Sequence, residues 1–420
     1  MPLSKPLMCI TAVGSNRLST NVVAVSLLAI AALVLASHDA RAQTPDPSTR
    51  TGALEQAQAE KVKTLTPQEP EKFERLTARA EAMLTRGGNH WYPFFENSYS
   101  GGGFPFGAGY SWFVGPYQTL DVRGSITPSG YTRAEAEFLN PRIFNRRGTL
   151  AVIGGWREAT EVPFYGLGDS QPENRVSYGF TQPHMSGLLT LKPTRRFLVV
   201  SGGIEYTQWT LQPGEGAFPS VGNLFTSEDL AGINATVNYL HTQVGVGLDW
   251  RPAELYARRG GYYGITVHEY NDHDDQFGFR EVHYEAIQHI PILREAWVLS
   301  FRGRVITSNA KTDQRVPFFM TPSLGSGSTL RAYPTRRFRG EDTLLLQGEW
   351  RIMVNRFMDT AVFYDAGKVA ARTSDIDVAS LKHDYGFGVR FHSPLATHLR
   401  IDLAKSPQDL ILVFAGSAPF

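Results

Sequence analysis

From residue 90 to the end of the chain, apolar side chains recur at every second position, the period of an extended strand with two unlike faces. In the stretch Tyr385 to Phe391 the apolar set is Tyr385, Phe387, Val389 and Phe391, and Gly386, Gly388 and Arg390 alternate with it. Leu399, Ile401 and Leu403 alternate in the same way with His398, Arg400 and Asp402. Trp297, Leu299, Phe301, Gly303 and Val305 alternate with Ser300, Arg302 and Arg304, and Val244, Val246, Leu248 and Trp250 with Gln243, Gly245 and Asp249. The pattern resolves into sixteen segments, at roughly 90–99, 102–114, 117–127, 130–139, 148–159, 174–192, 195–212, 236–251, 259–271, 276–291, 295–309, 342–353, 356–367, 383–392, 396–405 and 408–420. Connections after even segments tend to be tighter (Gly115-Pro116, Lys192-Pro193-Thr194, Ser393-Pro394), whereas several after odd ones are long (160–173, 213–235, 310–341, 368–382).

Alternation alone also describes a soluble sandwich, whose polar face meets bulk water. Scale separates the two readings. Segments of about ten residues, repeated without a helix between them and carrying Arg, Glu and Asp on one face, match a closed barrel with lipid outside and a polar interior. In lipid every backbone N–H and C=O must bond internally, which only a helix or a closed barrel achieves. The expected fold is therefore all-β: a 16-stranded antiparallel transmembrane β-barrel over residues 90–420, with a short N-terminal helix ahead of it.

That helix is read from residues 67–86. Thr66-Pro67-Gln68-Glu69 has capping-box spacing, Phe73, Leu76, Ala80, Met83 and Leu84 fall on one stripe, and Gly87-Gly88 ends it. It belongs to a polar leader, 43–89, and two placements stay open: a plug in the lumen or a position on the periplasmic side. Further upstream, Val22 to Ala36 is an apolar run broken only by Ser26, preceded by Lys5 and Arg17 and followed by Ala40-Arg41-Ala42. It is too short to span a bilayer comfortably, and residues 1–42 read as a signal peptide cut before Gln43.

Composition agrees with β structure, with 17 Tyr, 25 Phe, 7 Trp and 40 Gly. The one cysteine, Cys9, lies in the signal segment, so the exported chain has no disulfide framework and no thiolate site. Formal charge is +1 overall and −1 beyond residue 42, where 38 basic side chains face 39 acidic ones, a balance that argues against nucleic acid as a partner. No cofactor or metal site is expected. The segment from His268 to Asp275 holds imidazoles and carboxylates but reads as a polar hairpin tip. Gly325-Ser-Gly-Ser-Thr329 lacks the closing glycine of a nucleophile elbow, and no Ser, His and acid arrangement supports a hydrolase. Phe164-Tyr-Gly-Leu-Gly168 reads as an aromatic and glycine anchor for the connection that follows it.

The last 125 or so residues carry an ordered set of motifs. Val316-Pro-Phe-Phe-Met320 and Gly325-Ser-Gly327 precede Leu330-Arg331-Ala332-Tyr333, with Arg337-Phe338 after it. Then come Gln347-Gly-Glu-Trp-Arg351, Phe363-Tyr-Asp-Ala-Gly367, and Gly386 to Phe391 with Ser393-Pro394 beyond; the chain ends on Phe420. In this order and spacing they resemble the bacterial surface-antigen superfamily of outer-membrane barrels, the BamA/TamA type that includes the transporters of two-partner secretion. Leu330 to Tyr333 looks like that family's Val/Leu-Arg-Gly-Phe/Tyr motif on the long sixth loop, here 310–341, and a terminal Phe is the family's barrel signal.

A loop of that length is costly to leave disordered in a barrel mouth. Folded inward, Arg331 can reach Asp365, which shares a strand face with Phe363 and Gly367, and Glu349 on the neighbouring strand; a guanidinium fork suits bidentate bonding to carboxylates in a way that Lys does not. The resemblance implies that such a contact locks the loop inside the barrel. Two departures stand out. Ala332 replaces the family's usual Gly, which shifts the loop if that position needs φ > 0, and residues 43–89 are too few for even one of the family's periplasmic polypeptide-transport (POTRA) domains, as in a short branch of the superfamily. The resemblance implies a non-enzymatic barrel involved in insertion or translocation of proteins or lipids at the outer membrane, in contact with outer-membrane lipid and with a separate periplasmic partner or client protein. The alternative is a passive porin-like channel for small solutes.

Overall fold

The computed structural model describes residues 90–169, 175–194, 197–355, 357–392 and 396–420. The signal segment, the leader and the helix read at 67–86 lie outside the described residues.

Eighteen strands follow one another: β1 His90–Phe94, β2 Phe106–Phe113, β3 Thr119–Ile126, β4 Thr132–Ile143, β5 Gly148–Phe164, β6 Val176–Leu191, β7 Leu198–Pro213, β8 Thr236–Asp249, β9 Gly260–Asp272, β10 Phe279–Ile292, β11 Trp297–Ala310, β12 Ser323–Leu324, β13 Phe338–Arg339, β14 Asp342–Asn355, β15 Met358–Ala370, β16 Lys382–His392, β17 Thr397–Lys405 and β18 Leu410–Ala415. Sixteen of them form one sheet in chain order, each antiparallel to the next, with β11 paired directly to β14; β12 and β13 pair only with each other, inside the β11–β14 connection. The sheet rolls on itself. Residues just after β18 touch β9, β10 and β11, and the turn between β8 and β9 bridges to the start of β17, contacts that a flat sheet of this length does not allow.

Side chains obey the alternation read from the sequence. On β16, Tyr385 and Phe387 are 55% and 60% exposed on the outer wall while Arg390, facing in, is 1% exposed. Val244, Val246 and Leu248 on β8, and Leu410, Leu412 and Phe414 on β18, are likewise exposed, whereas Glu281, Glu285, Arg302 and Arg304 are buried in the lumen. At the end bearing the short turns, Trp250 stacks on Tyr263 and Trp297 meets Trp350 edge-on, an aromatic girdle of the kind that marks a membrane interface. Burying charge in this way is tolerable because partners are supplied along the same strand and from its neighbour: Glu135, for example, receives Arg133 of its own strand and Arg157 of β5, each at 2.7 Å.

The two mouths differ. Connections of the outer end pack into a hydrophobic core: Phe318 meets Phe164 and Tyr178, Phe319 meets Trp209, and Tyr99, Phe180 and Met320 complete the layer. Arg315 ties this segment to the β7–β8 connection through the carbonyls of Ser227 and Glu228, at 3.2 and 3.0 Å. The inner end, the one with the short turns, has one long turn among the described residues, Trp250 to Arg259 between β8 and β9, against the general trend of connection lengths read from the sequence.

Several boundaries differ from the sequence reading, each for a packing reason. β1 stops at Phe94 rather than near 99, since Tyr99 turns in to join the outer core. β5 runs to Phe164, past a register shift between Ala159 and Val162 that keeps both in the core. β18 ends at Ala415, well short of 420. The last residues leave the wall and enter the lumen, where Phe420 packs on Tyr262 and Ile287 and the carbonyl of Pro419 accepts from Arg302.

Candidate functional site

The connection 311–341 descends into the lumen as a small hairpin. Ser323 pairs with Arg339 and Leu324 with Phe338. The hairpin turns at Gly325, whose φ of 106° lies in the left-handed region and whose absent Cβ would fall 2.3 Å from the carbonyl of Pro334. Leu324, Leu330, Tyr333 and Phe338 pack together against Leu345 of β14. Gln347 on β14 donates to the carbonyl of Thr329 at 2.8 Å, Ser326 N–H donates to Leu330 O at 3.1 Å, and the Tyr333 hydroxyl donates to His383 O at 3.3 Å.

From this apolar base Arg331 alone extends into a charged nest. Its guanidinium lies over the Phe363 ring, 3.8 Å from the centroid. Nε is 2.9 Å from Asp365 Oδ2, and Nη1 is 3.1 Å from Glu349 Oε2 and 3.2 Å from Asp402 Oδ2. Two further arginines complete the set. Arg390 on β16 bonds Glu349 at 2.7 Å and also Asp402, and Arg400 on β17 lies 3.2 Å from Asp402 while donating to Gly327 O at 2.5 Å. Three guanidinium groups thus share three carboxylates, all buried. Burial alone would push the Arg331 guanidinium down, but the attraction of Asp365, Glu349 and Asp402 outweighs it and holds the group above its ordinary value.

Register explains why these groups meet. Gln347 pairs with Asp365 and Glu349 with Phe363, so Glu349 and Asp365 sit diagonally on one inward face of β14 and β15. Arg390 is directly opposite Arg400, a like-charge pair that Asp402, two residues on, bridges. Space comes from the glycines of β16: a Cβ on Gly386 would lie 2.6 Å from the Phe363 ring, and one on Gly388 would lie 2.1 Å from Asp402 Oδ1.

Ala332 has a negative φ, so the position makes no demand for glycine. Its methyl packs between Phe363 and Ala404, its N–H donates to Asp384 at 3.2 Å, and its carbonyl accepts from Ser406 at 3.2 Å. Gly367, by contrast, marks a close approach of the hairpin to the wall: a Cβ there would sit 2.8 Å from Leu324 Cδ1 and 2.9 Å from Leu344 O. Gly367→Val is expected to unseat the hairpin at a cost of about 1–3 kcal/mol, the usual range for overpacking, read as a lower urea midpoint; an unchanged midpoint would mean that β15 yields without loss.

The site therefore gathers Leu330, Arg331, Ala332, Tyr333, Glu349, Phe363, Asp365 and Gly367 in one place, and adds Asp402, Arg390, Arg400 and Gln347, to which the sequence reading gave no part in the lock. Alternation already marks Arg390, Arg400 and Asp402 as inward; nothing local indicates that they converge on Arg331. Phe420 lies elsewhere, on the β9 and β10 wall. Gly168 donates to Arg339 O at 2.6 Å, tying the connection after Phe164 to the hairpin. His268 faces the lumen 3.1 Å from His241, while Asp272 accepts from the N–H groups of Gln276 and Phe277 and so closes its own hairpin tip; among the described residues no group of three or more His, Cys, Asp or Glu side chains is arranged to hold a metal ion.

Comparison with known proteins fits this geometry. No curated protein sequence matches the chain. Among solved structures, BamA from Haemophilus ducreyi lacking POTRA domains 1–3 is similar over 82% of this chain and 76% of its own, at 16% identity and a TM-score of 0.55. CdiB from Escherichia coli is similar over 78% of this chain and 59% of its own, at 14% identity and a TM-score of 0.50. At such identities the likeness is one of fold. A sequence family decides the matter: the Omp85 superfamily domain matches residues 113–410, nearly the whole barrel wall and all of the Arg331 nest, and the chain belongs to that superfamily of outer-membrane β-barrels.

Proposed function

We propose that this barrel is non-enzymatic and takes part in inserting or translocating proteins or lipids at the outer membrane, with residues 1–42 as its export signal and residues 43–89 as a leader that meets a separate periplasmic partner or client. The observation that carries the reading is the hairpin seated in the lumen by Arg331, Glu349, Asp365 and Asp402. A loop fastened in the bore by buried charge, under an outer mouth filled by Phe318, Phe319 and Met320, suits a device that opens on engagement better than a route for free diffusion.

Proteoliposomes test this directly. An unfolded outer-membrane barrel added to vesicles containing the protein is expected to reach its folded, heat-modifiable form faster than in empty vesicles, and equal rates would count against the insertion role. Planar-bilayer recording separates the porin reading: the unmodified protein is expected to be nearly silent, whereas steady large currents would favour a passive channel.

A further inference from the structure

Among the described residues one turn at the inner end is long, and it does not hang free. Trp250 to Arg259 leaves β8, passes the inner ends of β10, β11 and β14, and fastens to strands β15, β16 and β17. Leu255 forms a parallel bridge with Ala396, and Thr397 N–H donates to Leu255 O at 3.2 Å. Tyr256 is buried, stacked on His392 with centroids 3.9 Å apart, and its hydroxyl donates to Asp359 at 2.7 Å. Arg258 reaches the same Asp359 carboxylate at 2.9 Å and the carbonyl of Glu295 at 2.7 Å, and Arg351 bonds the carbonyl of Ala257. The chain end runs the other way: from β18 it crosses to β9, where Phe420 packs on Tyr262, the ring that also lies under Arg251 at the base of the turn.

We propose that Trp250–Arg259 is a strap that closes the inner mouth of the barrel, held by a latch of Tyr256, Arg258, Asp359 and His392, and that the lumen communicates with the periplasm only when the latch releases. A surface turn has no reason to bury an aromatic ring and commit a buried carboxylate to it. Asp359 instead faces the lumen and is fully buried: Oδ2 accepts from Tyr256 and Arg258 of the strap, and Oδ1 lies 3.2 Å from Arg258 Nη1 and 3.3 Å from His392 Nε2 on the wall. The inference does not depend on the proposed function, since it concerns access to the bore whatever passes there.

The chain's only cysteine is Cys9, in the segment read as the signal, so introduced thiols report cleanly. Ser300 faces the lumen beneath the strap, 3.1 Å from the Arg351 guanidinium that holds Ala257. In proteoliposomes with the inner end outward, Ser300→Cys is expected to react slowly with a membrane-impermeant maleimide. The same thiol should react about tenfold faster or more when Asp359→Ala is added, the scale expected from deleting a hydrogen-bonded charge. Equal rates with and without the latch would overturn the proposal. Should Asp359→Ala fail to fold, Leu255→Cys with Ala396→Cys decides instead: bridge partners stand within disulfide reach, so ready crosslinking of the native barrel is expected, and failure to crosslink under oxidant would show that the strap does not rest on β17.

Discussion

Arg331→Ala is expected to release the hairpin from the lumen. The substitution leaves Glu349, Asp365 and Asp402 buried with only Arg390 and Arg400 to share, and removing one member of a desolvated ionic set typically costs about 3–5 kcal/mol. The loss should appear as a lower urea midpoint and as protease cleavage within 316–340, a stretch the native fold largely buries. Arg331→Lys should recover only part of it: an ammonium can meet one carboxylate but cannot present Nε to Asp365 and Nη1 to Glu349 and Asp402 together. Its flat face over Phe363 is lost as well. If Arg331→Ala resisted protease as the unmodified protein does, the apolar cluster of Leu324, Leu330, Tyr333 and Phe338 would be holding the hairpin and the ionic lock would be superfluous.

A comparable effect is expected from a residue outside the motif. Asp402→Ala strips the bridging carboxylate from Arg331, Arg390 and Arg400 at once and leaves Arg390 facing Arg400 across β16 and β17. Three buried guanidinium groups then share two carboxylates, and a destabilisation of about 3–5 kcal/mol is again the expected scale. The informative measurement is the double mutant. Arg331→Ala combined with Asp402→Ala should cost less than the two single losses together by about 0.5–3 kcal/mol, because each removes the other's partner. Strict additivity would show that Asp402 serves only the wall arginines and has no part in seating the hairpin.

The wall was the most legible part of this protein. A side-chain period of two assigns every residue of a strand to one face, so Tyr385, Phe387 and Val389 could be set outward and Arg390 inward without any knowledge of neighbours. The number of strands in the sheet followed from the same pattern. Strand ends were less legible, because they depend on what the connections pack against: Tyr99 leaves the wall to complete a core built from segments more than two hundred residues apart.

The site was legible in part and for a stated reason. Arg331, Glu349 and Asp365 carry a motif, and alternation alone puts Glu349 and Asp365 on the same face of their strands. Asp402 and Arg390 could not be linked to Arg331 in advance, since an inward charge on β16 or β17 has many inward charges within reach until the register between strands is known.

By itself, then, the sequence of this chain determined the composition of the two faces, the strand count of the wall and the length of the 310–341 loop, all of which are local properties of period, length and residue type; that this loop folds inward came from its motif resemblance. Tertiary structure alone decided that Asp402 joins Glu349 and Asp365 around Arg331, that Trp250–Arg259 reaches the start of β17, and that Phe420 turns into the lumen. Those outcomes hinge on rolling the sheet, which brings strands distant in the chain across a narrow interior, and curvature is a property of the whole sheet that no single segment encodes.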